Sequence, residues 1–142
     1  MYISFRAAAV ALTLLGSAAP AAAHHAFSLE YDANKPVKFE GIVTKVEWTN
    51  PHARVYVDAA DASGKKVTWN IELASLSALV RNGWTRNSVK PGEKVSVEGF
   101  EGRGTNTYRT TATVIRTASG GELFSGSAGE DGRPAAAGAP AR

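Results

Sequence analysis

The sequence has no cysteine. Disulfide scaffolds, thiolate metal sites, iron–sulfur clusters and cysteine nucleophiles are thereby excluded. Long apolar runs are missing as well. The N-terminal run Ala7–Leu15 is far shorter than the roughly 20 residues that span a bilayer. Excess charge of one sign is small: 16 Lys and Arg face 13 Asp and Glu. If Arg6 leaves with the leader described below, 15 face 13, too thin and dispersed an excess for a nucleic-acid partner. No serine sits in a G-x-S-x-G frame, and no P-loop, G-x-G-x-x-G or H-E-x-x-H occurs. Asp32, Asp58, Asp61 and Glu72 are spread singly, without a paired-carboxylate spacing. These absences point away from an enzyme and toward a binding or accessory module.

What is present begins with an address. Residues 1–23 have the build of a secretory signal peptide: Arg6, the apolar Ala7–Leu15, then small residues through Ala23. Cleavage after Ala21-Ala22-Ala23 makes His24 the first mature residue, and cleavage after Ala21 is the alternative. The expected location is periplasmic, with no membrane span after the leader is removed. Residues 24–36 form a lead-in segment and 37–124 the folded domain. The stretch 125–142, SGSAGEDGRPAAAGAPAR, has too little apolar surface to offset ordering entropy and reads as a disordered tail.

The domain reads as β-rich. Val37–Trp48 carries β-branched and aromatic residues whose phase flips between Gly41 and Lys45, which suits a bulge in a long, bent strand. Val55 and Val57, then Val67, Trp69, Ile71 and Leu73, alternate with polar residues across an Asp61–Gly64 turn. Ser75 caps a short helix through Leu76, Leu79 and Val80, and Gly83 stands at its C-terminal side. Trp84 is expected to pack over the barrel end. Strands at Val95–Gly99 and Ala112–Val114 and a short edge strand at Glu122–Phe124 complete a β-β-β-α-β-β order. That is the order of a five- to six-stranded OB-like barrel with its helix between strands three and four.

Two candidate sites follow. His24, His25 and His52 are the only ligand set, and nitrogen-only donors favour copper(II). The free amine and imidazole of His24 can chelate one ion. His25 can combine its imidazole with the amine and the amide between, or His24 can stand third after cleavage at Ala21. His52 can supply a further imidazole, with Trp48, Thr49 and Asn50 supporting its loop; it can equally serve only to hydrogen-bond that loop. The twelve residues from His24 to Pro36 reach up to roughly 40 Å, so spacing alone neither joins His24 to His52 nor separates them. The second site is a groove on the face of strands two and three together with the one–two and four–five loops, Thr49 to Ala53 and Glu101 to Tyr108. There Arg54, Tyr56, Arg103, Tyr108 and Arg109 offer aromatics and arginines to a glycan, a small anion or a protein partner of the envelope.

Five segments together carry a resemblance: His24-His25-Ala26-Phe27, Tyr31 with Asn34–Val37, Glu47-Trp48-Thr49-Asn50-Pro51-His52, Gly83–Arg86 and Lys90–Glu93. The chain resembles a family of short exported bacterial proteins catalogued only as a numbered domain of unknown function. The resemblance implies a small periplasmic β-barrel-like domain from about His24 to Phe124. It implies no activity, and it marks His24, His25, Trp48, Asn50 and His52 as signature positions. The chain departs from the pattern at Arg54, where an apolar residue is expected.

Overall fold

The computed structural model describes residues 29–105 and 108–126. Residues 1–23, expected to be a leader, His24, His25 and the stretch from 127 onward lie outside the described residues. Among the described residues no helix is long and apolar enough to cross a membrane.

Among the described residues the fold is mainly β, with six strands and one short helix between them. The strands are β1 (Tyr31–Glu47), β2 (Arg54–Ala60), β3 (Lys66–Glu72), β4 (Lys94–Gly102), β5 (Arg109–Thr117) and β6 (Glu122–Phe124), and helix α1 (Leu76–Arg81) stands between β3 and β4. The sheet order is β3-β2-β1-β4-β5-β6, and β3 also pairs with β5. Five strands thus run round in a small barrel-like ring. The β3–β5 contact is parallel, from Asn70↔Arg109 to Glu72↔Thr111. Beyond it, β6 takes over the same side of β5, at Val114↔Phe124 through Arg116↔Glu122.

Local chemistry explains the elements. β1 is long enough to pair with β4 through its first part and with β2 through its last, and its register shifts between Val43 and Lys45. That irregularity is the bulge expected from the change of phase, and it turns the strand from one neighbour to the other. β1 starts at Tyr31, earlier than the Val37 start expected from sequence, because Tyr31 pairs with Gly102 of β4. The last part of the lead-in segment, Tyr31 to Pro36, is therefore strand. In β2, Val55, Val57 and Ala59 are buried while their neighbours are half-buried or exposed, the period of two that a one-sided strand requires.

The Ser75 side chain accepts a hydrogen bond from the Ala78 amide and starts α1. Gly83, at φ 85°, lets the chain leave it. The helix inserts Ala78 and Leu79 into the core with Trp84 and Val89. Val43, Val55, Val57, Ile71, Leu73, Val95, Val97 and Ile115 fill the interior. Ser125, assigned to the tail by composition, is buried. Its amide donates to Thr113 O at 2.9 Å, and its hydroxyl accepts from the Ala74 amide at 3.2 Å.

Candidate functional site

Registry builds the site. Arg54, the first residue of β2, stands opposite Glu72, the last of β3. On the other side of β3, Asn70 stands level with Arg109 of β5. Asn70 and Glu72 are two apart on one strand and share its outer face. An arginine therefore flanks that face from each neighbouring strand. The β1–β2 loop, with a cis Asn50–Pro51 peptide, brings His52 to the same place. The start of β1 brings Tyr31.

All of these groups meet on one carboxylate. Glu72 Oε1 lies 2.9 Å from His52 Nδ1, and Oε2 accepts from Arg54 Nη2 at 2.6 Å and Arg109 Nη2 at 2.8 Å. Glu72 is only 3% exposed, whereas His52 keeps 34% of its side chain in solvent. Arg54 also donates to Asn70 Oδ1 at 3.1 Å. Arg109 also donates to Glu30 Oε2 at 2.6 Å, and its guanidinium lies 5.2 Å from the centre of the Tyr31 ring. Burial alone would push the Glu72 carboxyl up. Hydrogen bonding from Arg109, the charge of Arg54 and the Tyr31 hydroxyl outweigh burial and hold it below the ordinary carboxylate range. Burial and the neighbouring Glu72 charge push the Tyr31 phenol up, so it stays protonated.

This arrangement fixes groups rather than activating them. A carboxylate with His52, Arg54, Arg109 and the Tyr31 hydroxyl on it has its oxygens occupied and is poorly placed to take a substrate proton. The two guanidiniums are matched by Glu72 and Glu30, so the cluster presents no surplus arginine charge to an anion. What it does leave is an oriented imidazole: with Nδ1 on Glu72, Nε2 is the nitrogen available to a ligand.

The remaining candidate residues are dispersed. Trp48 packs half-buried against the core, and Thr49 and Asn50 are exposed. The Tyr56 hydroxyl donates to Glu47 at 3.2 Å, and Lys45 Nζ lies 5.3 Å from its ring centre. Arg103 holds the start of β1 through Tyr31 O at 2.9 Å and Asp32 at 3.4 Å. The Tyr108 hydroxyl donates to Asp61 at 2.8 Å, away from the Glu72 cluster. Of the five groove residues, Arg54 and Arg109 touch Glu72, Tyr56 stands opposite Asn70 on the same face of β2 as Arg54, Arg103 binds the start of β1, and Tyr108 turns to Asp61. Glu72, Tyr31 and Glu30 were not picked out by sequence. A polar residue ending an alternating strand was the one signal for Glu72.

A family model, described as a family of unknown function (DUF6152), matches residues 11–111 of the 142. The chain belongs to this family. The matched stretch of this DUF6152 protein includes the three histidines, Glu72 and both arginines of the cluster. Comparison with curated proteins gives no match.

Proposed function

We propose that this protein is an exported accessory module that binds a single copper(II)-type ion through His52 together with His24 and His25. The observation that carries this reading is the 2.9 Å contact between His52 Nδ1 and the buried Glu72. A carboxylate on one imidazole nitrogen fixes the orientation of the ring, the support that metal-ligating histidines ordinarily have. Among the described residues no three His, Asp or Glu side chains group around one point. The proposed site accordingly draws its other donors from His24 and His25.

The covalent tether favours their participation. Glu30 is linked to His52 by three contacts, through Arg109 and Glu72, each under 3 Å. His24 and His25 precede Glu30 by only six and five residues, a reach of roughly 20 Å at about 3.5 Å per residue. That is half the span the sequence alone allowed.

The test is intact mass of periplasmically produced protein, first native and then acid-denatured. The denatured mass gives the N-terminus, and the difference gives any metal retained. Copper titration of the wild type, His52→Ala and His24→Ala then follows by visible absorbance and electron paramagnetic resonance. The reading expects a chain beginning at His24 and at least a tenfold loss of affinity in each variant, about 1.4 kcal/mol. Equal copper affinity in wild type and His52→Ala would overturn it.

A further inference from the structure

A second concave site opens at the far end of the β2–β3 hairpin. β2 separates it from His52, and seven residues of strand span about 20 Å. It is a trough of about 690 Å³ between the first part of β1, the β2–β3 turn, Trp69 of β3, Glu101 of β4 and Tyr108. Phe39 and Trp69 stack in it with ring centres 4.5 Å apart and planes 20° from parallel. Tyr108 meets Trp69 edge-on at 5.4 Å. Asp61, Glu101 and Lys38 complete the polar part of the lining.

Two features show that the trough is preformed. Tyr108 has φ 62°, a left-handed conformation that a bulky side chain rarely adopts. It is held there at both ends. Its carbonyl accepts from the Asn70 amide at 2.8 Å, and its hydroxyl donates to Asp61 at 2.8 Å.

The lining carries two carboxylates and one ammonium. Hydrogen bonds from Ser63 and Tyr108 keep Asp61 ionised. Glu101 adds a second carboxylate. Lys38, the cation of the lining, is paired with Glu98 at 2.8 Å. Aromatic faces carry the negative side of the ring quadrupole. Such a trough repels anions and attracts cations.

We infer that this trough binds a small organic cation, a quaternary or protonated amine, against Phe39 and Tyr108 with Glu101 and Asp61 as counter-charge. The site is independent of the metal reading, since it shares no side chain with His52 or its partners.

The experiment is a nitrogen-15 correlation spectrum of the full mature protein, following the Trp69 indole and Tyr108 amide signals. Choline is titrated against its neutral isostere 3,3-dimethylbutan-1-ol and against methyl glucoside. Saturable shifts of those two signals with choline alone are expected. Glu101→Gln, a change at a half-buried rim position, should weaken choline binding about two- to fivefold with the rest of the spectrum unmoved. Equal shifts with the neutral isostere or the glucoside would overturn the inference. So would choline binding that Glu101→Gln leaves unchanged, or no saturable shift with choline.

Discussion

His52 and Glu72 meet at 2.9 Å, imidazole Nδ1 to carboxylate oxygen, although they lie on different elements and twenty residues apart in sequence. The loop that carries His52 is exposed at Thr49, Asn50 and Pro51. The carboxylate that receives the ring is buried, and its second oxygen is tied to β2 and β5 through Arg54 and Arg109. A side chain on a surface loop is thus aligned by the rigid part of the ring.

Glu72→Gln should destabilise the protein. The amide removes the charge that compensates Arg54 and Arg109 and places an NH₂ where an acceptor is needed. Both guanidiniums keep some water, with side chains 27% and 22% exposed, so the loss falls short of that for a fully buried pair. About 2–4 kcal/mol is expected. Urea unfolding at neutral pH measures it, and an unchanged midpoint would show that the cluster does not contribute to stability.

Asp61→Asn should alter the response to acid. Hydrogen bonds from Ser63 and Tyr108 bring the Asp61 carboxyl down to about 2 from an ordinary 3.8. The unfolded chain therefore takes up this proton first as pH falls. The stabilisation is complete above 3.8 and disappears as pH drops through about 2. The variant should be less stable than wild type at neutral pH and should lose less on going to about pH 3. Thermal midpoints of both proteins at the two pH values decide it.

Gly99→Ala should be costly. The β4–β5 register shifts between Glu98 and Gly99, and the strands approach so closely that a Cβ at Gly99 would overlap the Thr111 carbonyl oxygen. Backbone cannot step aside as a flexible side chain does. A loss of about 3 kcal/mol is expected. An alanine variant as stable as wild type would show that this crossing has slack.

Ser125→Ala should cost about 1–2 kcal/mol by leaving the buried Ala74 amide without its acceptor. A chain ending at Gly126 should unfold at the wild-type urea concentration. Comparing the two separates the last buried contact from the residues beyond it.

Much of this fold was legible in sequence because its signals are local. The alternation of Val55 and Val57, the cap at Ser75, the glycine at 83 and the phase change before Lys45 each act over a few residues. The start of β1 was not legible, since Asp32-Ala33-Asn34-Lys35-Pro36 has turn composition and becomes strand only through pairing of its ends with β4. The cluster was half legible. His52, Arg54 and Arg109 stood out as candidates. The carboxylate that gathers them did not, because its partners come from registry between strands far apart in the chain. Ser125 was missed for a similar reason: a serine beside a Gly- and Ala-rich stretch gives no hint that Ala74, on the far side of the chain, needs its oxygen.

The place of β5 has one more consequence. It alone joins β3 to β4, so a chain that ended before Arg109 would leave both of those strands with a bare row of amides and carbonyls. Such rows template pairing with another chain. The late-coming strand therefore guards this protein against aggregation as much as it completes the core, and nicks or truncations upstream of it should appear first as insoluble material.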